Sequence, residues 1–484
     1  MTGESRPPDV AAPSRRRVLT AVGGAVAGAG LIGGRAVHAQ TDTDVTPTPP
    51  STPSPTPAPP AARWTRRYAV GEHAARFLTV VPVGDEYVLA GVAGEHDDLR
   101  GLAVRTDKRG QTRWQRTYGT VKSGVADGAP HPDGGVVLAG GTNLDGSSPF
   151  AETPLSADPW VVRLDRGGDV VWTRTLQPAA AAGQADALVR VGGGFLVAGR
   201  RRERRETRPR PWVAYLSPAG HRRWETTLGS EDEEGALTAA SAVDDAWYVG
   251  GSTSPVTAGG EQPSGRDETG LVARLDPDGT VRWRWSPERP RGSRLAALHA
   301  DASGVVCVGN RGFATDDDGR GWHLRLDADG GHAWEATHSR GPWNWLDGLA
   351  ALDEGDGYLL VGTRERTPEE DDPNGRRGTW VLRTGPAGEV RWVTTYFEGD
   401  WSHGETVHAL DEGFLLAGST ETDAGQAAWL VGVGDVPTAD ATADVSHRLD
   451  ALSRAVPPAA DDIGLGVLVG VGVATLWRRL RDGE

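Results

Sequence analysis

Cysteine is all but missing: Cys307 is the only one in 484 residues. No intrachain disulfide and no cysteine metal cluster can form, so stability must come from burial. Lysine is almost as scarce, present only at Lys108 and Lys122, and arginine carries the basic charge instead. Positive charge as a whole runs short, leaving a net −15 at pH 7. That balance argues against nucleic acid or anionic lipid as the main partner. Abundant Asp, Ala, Gly and Arg beside so little Lys is the composition expected of a halophile, archaeal in kind, with a GC-rich genome.

The two ends carry topological signals. SRRRVL (14–19) precedes a Gly/Ala-rich stretch that ends in AVHA before Gln40. This resembles a twin-arginine export signal cleaved after Ala39, with the twin-arginine machinery as its partner and export in the folded state. Residues 1–39 are therefore expected to be the signal and 40–62 a Thr/Pro-rich extended linker. After a linker or short helix at 435–460, residues 461–484 are expected to anchor the chain in the membrane. Ile463–Trp477 is uncharged and apolar, with Asp461 and Asp462 before it and Arg478, Arg479 and Arg481 after it. As a helix it would span about 22 Å, short of the ~30 Å hydrocarbon core, and Trp477 and the arginines would make up part of the gap. The arginines mark the cytoplasmic side, which puts the bulk of the chain on the extracellular face.

Between these ends three series run in step. Trp64, Trp114, Trp172, Trp224, Trp283, Trp334 and Trp392 form one. Segments such as DGGVVLAG and DEGFLLAG, ending at Gly91, Gly140, Gly199, Gly251, Gly309, Gly362 and Gly418, form a second; PWVVRLD and its sisters form a third. Each segment is short, rich in β-branched or aromatic residues and bounded by Gly, Asp or Pro, so each reads as a strand. A less regular segment, DALVRV (186–191) or ETVHAL (405–410), precedes each glycine-ended strand. Four antiparallel strands per unit and seven units predict an all-β fold, a seven-bladed β-propeller over 63–434. The first unit opens on a Trp strand and the last ends without one. The N-terminal strand is therefore expected to close the last blade, with Trp64–Tyr68 beside Trp429–Val433.

LDPDGTVRW (275–283) shows the joint between third and fourth strands: Asp, two residues, Gly, three residues, Trp. The glycine suits a positive φ, and each indole can cover the turn or sheet of a neighbouring blade. Burial of ~150–250 Å2 per indole at roughly 25 cal/mol/Å2 sets an upper bound near 4–6 kcal/mol. This spacing resembles the tryptophan-docking motif of PQQ-like propeller repeats, here of the haloarchaeal exported or cell-surface kind, over about residues 64–434. The resemblance implies the fold. It does not imply the cofactor: quinone-dependent members often carry adjacent cysteines, and this chain has one, so PQQ is not expected.

Connections between second and third strands are long in alternate units, around 141–159, 252–270 and 363–379, and insertions on one face mark the usual binding surface of a repeat protein. On that face RRRERRETRPRP (200–211), with Arg201, Arg204 and Arg205, reads as a loop that either holds an anionic glycan or acidic partner or is solvated and paired with EDEE (231–234). GPWNWLDG (341–348) and GDWSHGET (399–406) supply Trp343, Trp345, Asp400, Trp401 and His403, suited to sugar or cation binding or to packing of loop over blade. Asp127, Asp186, Asp347 and Glu405 are expected to start innermost strands, where they either ring the central channel and suit Ca2+ or Mg2+ or simply solvate turns. Sister turns LSPAG and TGPAG lack the acids of LDPDG, so that turn is not a metal motif. Cys307 falls at a core strand position, and no nucleophile–base pair stands out. No resident cofactor is expected. The leading expectation is a non-catalytic binding module at the cell envelope, with an envelope protein or glycan as partner. The alternatives are a propeller enzyme (a quinone-cofactor dehydrogenase or a polysaccharide hydrolase or lyase) and a structural surface spacer.

Overall fold

The computed structural model describes residues 58–437, apart from 72, 95–97, 121, 144–156, 177–181, 204–207, 257–266, 289–291, 313–318, 341–343, 354, 366–376, 398–400 and 423–424. The signal, nearly all of the first linker, the second linker beyond 437 and the C-terminal segment thus lie outside the described residues. So do the middles of the three long connections. Every named element among the described residues is a β-strand. Five sheets hold four consecutive antiparallel strands each, over 75–118, 124–175, 182–227, 233–285 and 293–338. The sixth sheet has eight strands: a group of four over 344–396, and a second group made of 401–434 with Ala62–Tyr68. A single parallel bridge, Arg377 to Trp401, joins the two groups.

Ala62–Tyr68 pairs antiparallel with Gly425–Gly434, Trp64 opposite Gly432 and Tyr68 opposite Ala428. The first strands of the groups are Ala75–Val83, Gly124–Pro130, Ala182–Val191, Glu233–Val243, Ser293–Asp301, Asn344–Ala351 and Trp401–Leu410. Each touches the next, and the last touches the first. They therefore ring the axis of the molecule in a β-propeller arrangement. The core lies between neighbouring groups. Val81, Val88 and Ala103 pack with Val125, Leu138 and Trp160, for example, and Phe77 and Leu102 with Leu415 and Leu430 across the closure.

Every first strand carries one extra residue opposite its partner, at Leu78, Ala126, Asp186, Thr238, Ala296, Asp347 or Glu405. This bulge explains the second glycine series. At each of those glycines a Cβ would fall 1.8–2.0 Å from a carbonyl oxygen of the first strand, as at Gly309 against Arg294 O. Only glycine admits so close a backbone approach.

The bulge also corrects the expected strand starts. Asp186, Asp347 and Glu405 do not begin their strands but sit within them, because the strands run through the bulge from Ala182, Asn344 and Trp401. Asp127 lies one position after its bulge, inside Gly124–Pro130. The expected Arg loop is likewise shorter than 200–211, since Arg200, Arg201 and Arg202 finish a strand and Arg210 opens the next. Alternation continued by arginine, whose aliphatic stem suits a strand edge, hid that extension.

The docking tryptophans face the turn of the following group. Trp64, Trp114, Trp172, Trp224, Trp283 and Trp334 lie over Gly110, Gly168, Gly220, Gly279, Gly330 and Gly388, where a Cβ would meet the ring at 2.7–3.0 Å. All six glycines have φ between 71° and 89°. Trp64 Nε1 donates to Pro437 O, Trp114 Nε1 to Arg166 O, Trp224 Nε1 to Pro277 O and Trp283 Nε1 to Ala328 O. Tyr68 and Tyr118 add hydroxyl bonds to Gly110 O and Gly168 O. Trp392 differs: its group is followed by one with no such turn, and the ring stacks on Phe414 instead. These six indoles stay only partly buried, so the energetic upper bound overstates them. The deepest indoles belong to third strands, among them Trp212, Trp322, Trp380 and Trp429.

Candidate functional site

First strands begin on the face of the long connections and ring the axis there. On Trp401–Leu410, alternation places Trp401, His403 and Glu405 on one side of the strand. Asn344–Ala351 contributes Trp345 and Asp347, and Ala75–Val83 contributes Arg76. His403 Nε2 lies 3.2 Å from Asp347 Oδ2 and 3.5 Å from Glu405 Oε1. Arg76 forms an ion pair with that same Glu405 oxygen. Four polar side chains from three strands thus form one chain of contacts across the closure of the ring. The indole of Trp401 meets His403 edge-on at 5.7 Å, and Trp429 Nε1 donates to His403 O, fixing the strand behind the ring.

Of the residues singled out from sequence, the structure brings Asp347, Trp401, His403 and Glu405 together and sets Trp345 two positions before Asp347 on the same strand. Trp345 and Trp401 stand on strands rather than on overlying loops. Trp343, Asp400, Arg204 and Arg205 lie outside the described residues. Arg201 stands apart: it pairs with Glu225 at 2.6 Å, and the same carboxylate takes Arg222 and the Trp212 indole. Arg208 approaches Glu234 at 3.6 Å. Arg76 was missed, because nothing in a lone arginine shows that a partner far along the chain will close on it.

Asp127 and Asp186 behave differently from that cluster. Burial pushes the Asp127 carboxyl up to about 6, against hydrogen bonds from Leu188 N, Gly128 N and Thr79 Oγ1 that favour its charged form. Burial also pushes Asp186 to about 6, with only the charge of Arg200 opposing, and its Oδ2 is buried without a hydrogen-bond partner. Neither carboxyl raises the other, so they do not form a proton-sharing pair. Among the described residues, no group of three or more His, Cys, Asp or Glu side chains is arranged to hold a metal ion. Cys307 is fully buried, and burial raises its thiol far above the usual range, which keeps it inert.

Two acceptor-rich carboxylates, an imidazole and a guanidinium offer hydrogen bonds to hydroxyl groups, and two indoles offer apolar faces.

No protein-family model matches the chain, and no curated protein matches it in sequence. Among solved structures, the WD40 domain of coronin from Toxoplasma gondii is similar at 10% identity, covering 79% of this chain and 89% of that one, with a TM-score of 0.43. The β-propeller domain of the Trilobed protease from Pyrococcus furiosus is similar at 10% identity over 79% of this chain and 100% of that one, TM-score 0.41. Sqt1 from Chaetomium thermophilum, bound to the N-terminus of ribosomal protein L10, is similar at 9% identity over 75% and 97%, TM-score 0.42. The propeller architecture of this chain rests on its own strand pairing and ring of first strands.

Proposed function

We propose that this chain is a seven-bladed, PQQ-like β-propeller that acts as a non-catalytic binding module at the cell envelope. Each of the seven four-strand groups is one blade, the two groups in the eight-stranded sheet being neighbours joined by a single bridge. The signal at 1–39 sends the folded domain out through the twin-arginine route, and 461–484 holds it at the extracellular face of the cytoplasmic membrane. Among the described residues no helix is long and apolar enough to cross a membrane, and 461–484 falls outside them. The ligand is a glycan or a hydroxyl-rich envelope partner. The observation that carries this reading is the convergence of Arg76, Asp347, His403 and Glu405, flanked by Trp345 and Trp401, at the axial mouth. In this reading the long connections at 141–159, 252–270 and 363–379 carry further contacts to the ligand.

Glycan arrays and envelope pull-downs with the full-length protein test the reading, with His403→Ala and Trp401→Ala as comparators. A ligand captured by the wild type and lost by both variants supports it; capture unaffected by either refutes the site. Fractionation with and without 461–484 tests the tether: the truncated form should pass into the medium, and retention of both contradicts an anchor there. A second reading, a polysaccharide hydrolase or lyase, is favoured only by Asp127 and Asp186, whose protons persist to about pH 6. Turnover of the captured glycan, abolished by Asp186→Asn, would establish it over the binding module.

A further inference from the structure

On the face opposite the long connections, a cleft of about 550 Å3 opens at the joint between the 75–118 and 124–175 groups. Its walls are hairpin and turn residues of the first group, with Gly134 and Arg166 of the second. Arg105, Lys108, Arg109, Arg113 and Arg166 face Asp85, Glu86 and Asp107, an excess of two positive charges in a chain of net −15. Arg105, only 3% exposed, forms the floor. Glu86 holds its Nε at 2.7 Å, and Gly134 O and Arg166 O accept from its Nη1. Glu86 is also the nearest acid to Arg166, at 3.8 Å, and lies 3.8 Å from Arg113. Arg113 sits nearer Asp107, at 3.4 Å, and Lys108 pairs with Asp85 at 2.8 Å, so Arg166 is the guanidinium in this set held only loosely. Arg109 is exposed, and its guanidinium has no partner among the described residues.

The repeat shows that this charge is local. Lys108-Arg109 occupies the two middle positions of the docking turn, where the sister turns carry Arg166-Gly167, Pro218-Ala219, Pro277-Asp278, Ala328-Asp329 and Pro386-Ala387. No sister has two cations there, and one of the chain's two lysines is spent on this turn. The turn folds without them, since Gly110 and its docking Trp64 supply the architecture.

We infer that this cleft binds a doubly charged oxyanion of the phosphate-monoester kind. The walls offer no aromatic face, so the anionic group rather than a ring is what they recognise. Guanidiniums that can pair two oxygens at once suit phosphate geometry, while the volume falls within the ~300–1,000 Å3 of small-molecule sites and leaves room for a sugar beyond the phosphate. The site is independent of the axial mouth, being on the other face.

Calorimetric titration of the full-length protein with inorganic phosphate, glucose 6-phosphate and glucuronate, at low and fixed ionic strength, tests the inference. Both phosphates should bind at one site, glucose 6-phosphate at least as tightly, and glucuronate about 10-fold more weakly or not at all. Lys108→Ala with Arg109→Ala should weaken phosphate binding by about 10-fold or more, with an unchanged melting temperature in phosphate-free buffer. Arg223→Ala, at an exposed arginine elsewhere, should change nothing. Equal phosphate affinity in the wild type and the double variant, or no saturable binding in the wild type, would overturn it.

Discussion

The indole of Trp224 lies so close to Gly279 in the next group's turn that a Cβ on the glycine would sit 2.9 Å from the ring. The same glycine has φ +89°, a backbone conformation that side chains resist. The two constraints act together: the turn needs glycine to reverse, and the reversal leaves a bare backbone surface on which the indole rests.

Gly279→Ala is therefore expected to cost about 1–3 kcal/mol, from strained backbone and a displaced indole. Gly309→Ala should be far worse, more than about 4 kcal/mol, because its Cβ would meet Arg294 O at 2.0 Å and neither strand can move without opening the bulge. Urea unfolding of the two variants checks the order. A Gly309 variant as stable as Gly279→Ala would mean that the bulge is soft.

The seam between Ala75–Val83 and Trp401–Leu410 rests partly on Arg76 and Glu405, whose side chains are 26% and 10% exposed. Truncating one partner strands the other charge in a half-wet site. Glu405→Ala should thus cost about 1–3 kcal/mol, below the ~3–5 kcal/mol of a fully buried pair. Arg76→Met combined with Glu405→Leu should recover most of that loss. Unfolding free energies for the single and double variants measure the coupling, and strict additivity would show that the pair contributes nothing to closure.

Much of this architecture was legible in residues that recur. Three series in register marked the strands, and the missing Trp strand at the end of the last unit pointed to Ala62–Tyr68 as its completion, which the pairing with Gly425–Gly434 bears out. What stayed hidden lay where local pattern and three-dimensional pairing part company. A bulge restarts the two-residue alternation, so DALVRV and ETVHAL looked like whole strands when each was the second half of one. The recurrent glycine one strand over was the available signal, since it appears in every unit at the end of an otherwise well-packed strand. Arg76 and Glu405 meet only because the ring closes, and no local periodicity reports a contact between its two ends. Trp392 shared its spacing with six docking tryptophans but not their partner, because the turn it would cover is absent from the last group.

Asp186 should make folding weaker at neutral pH than it need be. Its folded carboxyl titrates near 6 instead of the ordinary 3.8, so the native state holds a proton that the unfolded chain has released. Stability therefore rises as pH falls from about 6 to 4, and the penalty is fully present above 6. Asp186→Asn removes the charge and keeps the shape. It is expected to gain roughly 1–3 kcal/mol at pH 7 and to flatten that part of the pH profile. Asp127→Asn should instead lose stability at pH 7, because three donors converge on Asp127 and an amide cannot accept from all of them. A loss of stability in both variants would show that Asp186 has a partner in solution.

His323 should set the acid limit with the opposite sign. It stands fully buried where sister strands carry Val161, Val213, Val272 and Val381, and neither ring nitrogen has a hydrogen-bond partner among the described residues. Trp334 meets the ring edge-on at 4.6 Å, and His338 lies 6.0 Å away, its own Nε2 also buried without a partner. Burial lowers His323 from 6.5 to about 3, and the nearby His338 adds to the shift. The unfolded chain thus binds a proton between pH 6.5 and 3 that the native state refuses. Native stability is intact above 6.5 and drains away as pH falls through that window, by at most roughly 5 kcal/mol at about 1.4 kcal/mol per unit. His323→Val installs the sister residue and removes both orphaned nitrogens. At pH 7 it should leave stability within about 1 kcal/mol of the wild type, the lost polar desolvation offsetting a small cavity. At pH 4.5 it should be the more stable protein by about 2 kcal/mol or more. Chemical denaturation at the two pH values measures the difference directly, and identical pH profiles for variant and wild type would show that the imidazole reaches water in the native state.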